Sequence, residues 1–205
     1  LFQVSELLTQ KGGLRALGKA LYWCNEMVPV ERDLASVQPV DEMLKKLNAV
    51  LIHLSASNAA DYSLRYPIAS RKLKARKYMA QGFSSFTLVQ NNQVLGDIWH
   101  ARQGAARSEM PRHDFGALGI EPGPKDVYLF DMYIDPTHRG QALAAPLMGG
   151  ALHALAREGC EKAYGFFKAD NIPALWVHRM LKYKELPRVR IRRIGGSAGA
   201  DQPEG

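Results

Sequence analysis

Apolar residues recur at helical spacing over residues 5–22, with basic residues between them and Gly12-Gly13 interrupting the run, which predicts a broken amphipathic helix. "VPVERDL" (28–34) reads as a strand, and Pro29, which has no N–H to give a ladder, places it at a sheet edge. "VDEMLKKLN" predicts a short helix, and "AVLIHLSA" a buried strand or helix that periodicity alone does not separate. "RKLKARKYMAQG" (71–82) is helical in pattern, with Gly82 placed to end it. "FSSFTLVQ" and "QVLGDIWHA" are β-rich runs joined by Asn91-Asn92, residues that tolerate the positive φ of a tight hairpin.

From 103 to 125 Gly and Pro dominate and a long loop is expected. Beyond it the pattern alternates: strand 127–134, helix about 140–158, strand 162–168, helix 172–182, strand about 183–194. Strand–helix–strand alternation requires at least one parallel crossover, so the fold class is α/β, a mixed sheet flanked by helices with an N-terminal helical extension. "GGSAGADQPEG" (195–205) has the composition of a disordered tail. The three parts expected are 1–82, 83–194 and 195–205.

The chain has 205 residues, 46% hydrophobic and 23% charged, which suits one soluble core. Its net charge of +7 favours polyanionic partners without choosing among them. Cys24 and Cys160 fit neither a disulfide framework nor a CxxC metal site, as expected of thiols in a reducing cytoplasm. The longest apolar stretch, 142–156, is too short for a bilayer span and carries Pro, two Gly and His. A cytoplasmic protein, monomeric or dimeric, with no metal is expected.

The turn "IDPTHRGQALAAPLM" (134–148) carries the most chemistry. A helix start exposes amides without intrahelical partners, and a phosphate reaches them only past small side chains. Gly140, Ala142 and Ala144 are small, and Arg139 stands at the rim. Close packing at a strand–helix junction is the competing explanation.

This turn resembles motif A of the GNAT N-acyltransferase superfamily, Arg/Gln-x-x-Gly-x-Gly/Ala after an aliphatic-x-Pro strand end, here Ile134-Asp135-Pro136 and Arg139-Gly140-Gln141-Ala142-Leu143-Ala144. "NIPALWVHRMLKYKE" resembles motif B: Asn171 and Ala174 match, while His178, Lys182 and Tyr183 stand in place of Tyr, Gly and Phe. The resemblance covers about 83–190 and implies an acyl-CoA-binding core over 83–194. It implies acetyl-CoA or another acyl-CoA as cosubstrate and a small-molecule or peptide amine as acceptor; nucleic acid is not the partner it implies. By that resemblance Arg139, Gly140, Gln141, Ala142, Leu143 and Ala144 hold the pyrophosphate. Met132, Tyr133 and Ile134 pair with the pantetheine arm, and Asn171 contacts the coenzyme.

Amine attack needs a proton acceptor, for which Asp131, an acid in an apolar strand, is the candidate, with ion pairing as its alternative. His178, in the motif B Tyr position, is the candidate donor to the leaving thiolate, with a structural role as its alternative. Three departures bear on the coenzyme: the methyl of Ala142, for which a helical φ is expected; Pro146 inside the helix, expected to kink or delay it; and Lys182 in a turn that usually holds Gly.

Several features carry less. "RKLKARK" recognises an acidic acceptor or is a solvated helix face. "RVRIRR" (188–193) reads as a strand with one wet face. His113-Asp114 reads as a substrate lid or a linker. Tyr22, Trp23, Trp99 and Trp176 are expected in the core. Two alternatives to an enzyme stay open: a degenerate CoA-binding regulatory domain, and a basic module for nucleic acid or anionic surfaces.

Overall fold

The computed structural model describes residues 22–102, 116, 118–194 and 197–201. Residues 5–21 of the helix expected over 5–22, the pair His113-Asp114 and the side chains of Tyr22 and Trp23 lie outside these, and residue 22 opens a strand instead of closing that helix.

One mixed sheet organises the chain. It is built from β1 (Tyr22–Asp33), β2 (Val50–Leu54), β3 (Ser84–Gln90), β4 (Gln93–Arg102), β5 (Val127–Ile134), β6 (Lys162–Lys168), β7 (Lys184–Glu185), β8 (Val189–Ile194) and β9 (Ser197–Asp201). The order is β2-β3-β4-β5-β6-β1-β8-β9, with β7 also pairing to β1. Among these strands the pairings are antiparallel except β5 with β6, whose crossover is a helix, as parallel neighbours require. The hairpin turns through Asn91 and Asn92 at φ 49° and 62°, both left-handed as a two-residue turn of this hand demands.

Among the described residues the helices include α1 (Asp41–Lys46), α2 (Ala69–Ala80), α3 (Ala144–Arg157) and α4 (Ile172–Met180). α3 is apolar nearly all round and buried along its length. It packs on β3 and β4, on α1, and on α4, over a core that includes Val28, Val30, Phe86, Leu88, Leu147 and Leu152. α2 covers the opposite face, where Tyr78 meets Trp99, Phe83 and Phe130.

Four expectations are corrected. β1 is an internal strand, not an edge. Pro29 is accommodated because it falls where β1 changes partner: β8 pairs up to Met27, and β7 begins at Val30. The Pro29 carbonyl takes the Leu186 amide at 2.8 Å in that gap, so the missing N–H costs no ladder bond. "AVLIHLSA" forms a half-exposed edge strand, β2, because only one neighbour, β3, is available to it. Trp176 is 67% exposed, since the helical period turns Ala174, Val177 and His178 of α4 toward the sheet and Trp176 away from it. Residues 197–201 of the expected tail pair with β8 as β9; strand pairing uses backbone groups and needs no apolar side chains.

Candidate active site

β5 and β6 pair only at Val127–Ala163 and Tyr128–Tyr164 and then part. The parting coincides with a bulge in β5. Asp97 of β4 faces Tyr133 and Trp99 faces Phe130, so Asp131 and Met132 together oppose the single residue Ile98. Asp131 takes φ 50° there, the left-handed conformation of the first residue of such a bulge. The extra residue reverses the alternation of side chains. Before it, Val127 and Leu129 face α3 while Tyr128 and Phe130 face away; after it, Met132 and Ile134 face α3 and Tyr133 turns toward α2.

A cleft of ≈ 620 Å³ opens beyond the bulge, lined by the end of β5, the turn 138–144 and the start of α4. Its volume is within the range of small-molecule sites. Met132, Ile134, Arg139, Gly140, Ala142, Leu143, Ala144 and Asn171 all line it. The side chains of the other two coenzyme candidates do not: Tyr133 lies under the Arg71 guanidinium, and Gln141 points to solvent. A more open hollow of ≈ 690 Å³ lies between α1, β2 and α3, and neither motif lines it.

The turn is built to leave donors free. Gly140 and Ala142 are left-handed, at φ 85° and 56°, and Gln141 between them is not. Alternating handedness makes successive amides converge on one concave side. Gly140, Ala142, Leu143, Ala144 and Ala145 donate to no acceptor among the described residues. The helical φ expected for Ala142 is thereby corrected: the turn needs a left-handed residue there, and an alanine supplies it. Ala142 and Gly140 are exposed, so the methyl narrows the cleft without closing it. Pro146 delays the helix rather than kinking it. α3 starts at Ala144, which puts Pro146 in the first turn, where an N–H has no intrahelical partner.

His138 also lines the cleft and was not singled out from the sequence. Its Nδ1 lies 3.1 Å from the Asp135 carboxylate and 2.9 Å from the Thr137 hydroxyl, which leaves Nε2 toward other partners. Burial alone would raise the Asp135 carboxyl, but the Thr137 amide and hydroxyl and His138 outweigh it and hold it below the usual carboxylate range. Its position directly before Arg139 was the available signal. Asn171 caps α4 by accepting the Ala174 amide at 3.2 Å, and Lys182 keeps the left-handed turn after that helix at φ 60°.

The two candidate proton carriers sit elsewhere. Asp131 projects to the α2 face, where its carboxylate meets Arg71 at 2.8 Å and Lys74 at 2.9 Å. His178 is buried. Its Nδ1–H donates to the Ala174 carbonyl at 2.7 Å, and its ring stacks on Phe167 and meets Tyr183 edge-on. Burial pushes its pKa below the ordinary value, so it is neutral at pH 7. Of the basic run 71–77, Arg71 is buried, while Lys72, Arg76 and Lys77 face solvent. Among the described residues no group of three or more His, Cys, Asp or Glu is placed to hold a metal, and no helix is long and apolar enough to cross a membrane.

Comparison with known proteins bears on the fold and the family. No curated protein matches the chain in sequence. Solved structures share the fold at low identity. A GNAT-family acetyltransferase of Novosphingobium aromaticivorans is 15% identical, with a TM-score of 0.51 over 82% of this chain and 62% of its own. A tandem GNAT protein from the clavulanic acid biosynthesis pathway is 16% identical, with a TM-score of 0.53 over 93% of this chain and 61% of its own. The GCN5-related glucosamine N-acetyltransferase region of a fungal multi-domain β-N-acetylglucosaminidase is 13% identical, with a TM-score of 0.59 over 90% of this chain and 23% of that one. The chain thus spans less than two thirds of each of these proteins. The family model for the acetyltransferase (GNAT) family matches residues 59–183, more than half of the sequence, and the chain belongs to that family.

Proposed function

We propose that the protein is an acyl-CoA-dependent N-acyltransferase acting on an amine. The observation that carries this reading is the set of converging amides of Gly140, Ala142, Leu143, Ala144 and Ala145, unpaired among the described residues and opening onto a cleft beside the frayed end of β5. Such amides, at the positive end of α3, suit a diphosphate. Arg139 at the rim adds charge, and His138, its ring fixed by Asp135, presents Nε2 beside it.

Beyond the bulge, β5 lacks a partner on its β6 side, so the main chain of Met132–Ile134 has ladder positions for an extended, amide-bearing arm. Acyl-CoA supplies an activated thioester there. The chain's residues supply the rest: amides anchor the phosphates, Met132 and Ile134 wall the arm, and a β5 N–H stabilises charge on the acyl oxygen.

The proton-transfer roles are narrower. Asp131 is engaged by Arg71 and Lys74 on the α2 face, away from the cleft, so we assign it to holding structure rather than to removing a proton. Neutral His178 carries its proton on Nδ1, already given to Ala174, and we assign it to packing. The basic-module alternative gains nothing specific, because scattered surface charge does not require converging amides.

The test is release of free CoA from acetyl-CoA by the purified chain across a panel of primary amines. Amine-dependent release that Arg139→Glu abolishes is expected. Coenzyme binding with no release by any amine would instead favour the regulatory domain.

A further inference from the structure

Arg71 comes from α2, 60 positions before Asp131 in the chain, yet its guanidinium binds both sides of the β5 bulge. Nε and Nη2 hold the Asp97 carboxylate in a two-pronged contact, Nε at 3.1 Å. Nη1 donates to the Asp131 carboxylate and Nη2 to the Asp131 carbonyl, each at 2.8 Å. The guanidinium also lies over the Tyr133 ring, 4.9 Å from its centroid. Asp97 is completely buried, faces Tyr133 across the ladder and takes a further bond from Trp99 Nε1 at 3.1 Å.

A buried ion pair of this kind adds little net stability over apolar residues of the same shape, because desolvation offsets attraction. What it does supply is a fixed arrangement. Asp131 is a non-glycine residue in the left-handed region, a conformation in which the Cβ crowds the backbone and which needs outside support. Without the bulge, β5 would continue its earlier alternation. Tyr133 would then enter the cleft, and Met132 and Ile134 would face α2.

Given the acyltransferase reading, we infer that Arg71 is a positioning residue: held by Asp97, it locks the Asp131 bulge and thereby decides which face of Met132, Tyr133 and Ile134 the cleft receives. Lysine cannot replace it, since an ammonium lacks the planar fork that serves Asp97, the Asp131 carboxylate and the Asp131 carbonyl together.

The test uses Arg71→Lys, read by hydrogen exchange of individual amides and by acetyl-CoA affinity. Exchange at Tyr133 and Asp135, whose amides face β4, is expected to quicken about tenfold or more while Phe86 and Leu88 in β3 keep their protection, and affinity is expected to fall by about tenfold. Adding Asp131→Gly should restore both, because glycine adopts the left-handed bulge unaided. A residue that touched coenzyme would not be rescued in this way.

Parent-like exchange and affinity in Arg71→Lys, or no rescue by Asp131→Gly, would overturn the inference. Should Arg71→Lys lose protection throughout, Arg71→Met/Asp97→Leu leaves neither partner of the pair charged, and the same two readings decide. Exchange needs no turnover, so an inactive parent would count against the acyltransferase reading and leave the lock to be judged by the amides.

Discussion

The Nδ1 of His178 lies 2.7 Å from the carbonyl oxygen of Ala174, one turn earlier in α4. A carbonyl only accepts, so the proton is on Nδ1 and the neutral ring has none on Nε2. A histidine in this state, between Phe167 and Tyr183, behaves as an aromatic core residue. Its imidazole should titrate below pH 6.5, and NMR should find the Nδ1–H tautomer. His178→Phe should keep turnover per folded molecule. A fall in turnover with coenzyme affinity unchanged would instead make His178 a proton donor.

A pair of histidines, His53 and His100, sets the acid response. His100 Nε2 and His53 Nε2 are 3.2 Å apart, and both rings stack on Phe86. Burial, then His53 and Arg102, pushes the His100 pKa down to about 3. Burial also lowers His53, with Arg102 adding to it against the opposing pull of Glu158. The unfolded chain therefore binds these protons first. Their contribution to stability is complete above pH 6.5 and is lost as the pH falls from there toward 3. Urea unfolding across that window should show a slope of about 1.4 kcal/mol per pH unit for each proton of difference. His100→Phe should flatten it, and an unchanged slope would refute the assignment.

Two left-handed positions hold residues with a Cβ where glycine would be relaxed. Ala142 is at φ 56° and Lys182 at φ 60°. Ala142→Gly and Lys182→Gly should each stabilise the fold by about 0.5–1 kcal/mol, or roughly 1–4 °C in Tm. Ala142→Gly should also leave coenzyme affinity intact or tighten it. Ala142→Val should lower both, since a branched side chain resists positive φ and fills the cleft mouth.

Gly96 of β4 tests how closely the strands behind the cleft are packed. A Cβ there would lie 2.6 Å from the Tyr133 carbonyl oxygen and 2.8 Å from Ile134 Cδ1. Backbone cannot yield as a flexible side-chain tip does, so Gly96→Ala should cost about 1–3 kcal/mol in thermal or urea unfolding. It should also weaken acetyl-CoA binding by displacing the β5 wall.

Patterning carried most of the strands and helices of the described residues, because period and turn residues are local: Asn91-Asn92 marked the hairpin and Gly159 ended α3, whereas β9 and the first half of β1 gave no such signal. The turn 138–144 was legible from small residues after a strand. Its handedness was not, since φ at Ala142 is set by how β5 and α3 meet. Pro29 misled because a partner change between β7 and β8 depends on chain segments more than 150 residues away. Asp131 illustrates the limit best. An acid in an apolar strand signals a special position, but its partners Arg71 and Lys74 lie on a helix no local pattern connects to it. His138 escaped notice because its dyad with Asp135 forms only once the turn is folded.

All of the chemistry proposed for this chain presupposes that the amides from Gly140 to Ala145 receive a diphosphate. Calorimetric titration of acetyl-CoA into the parent protein and into Arg139→Glu reads that event without requiring an acceptor. Saturable binding of one equivalent to the parent, abolished or weakened at least about tenfold in the variant, is the expected result. Absence of binding at millimolar acetyl-CoA, or equal affinity in both proteins, would contradict it.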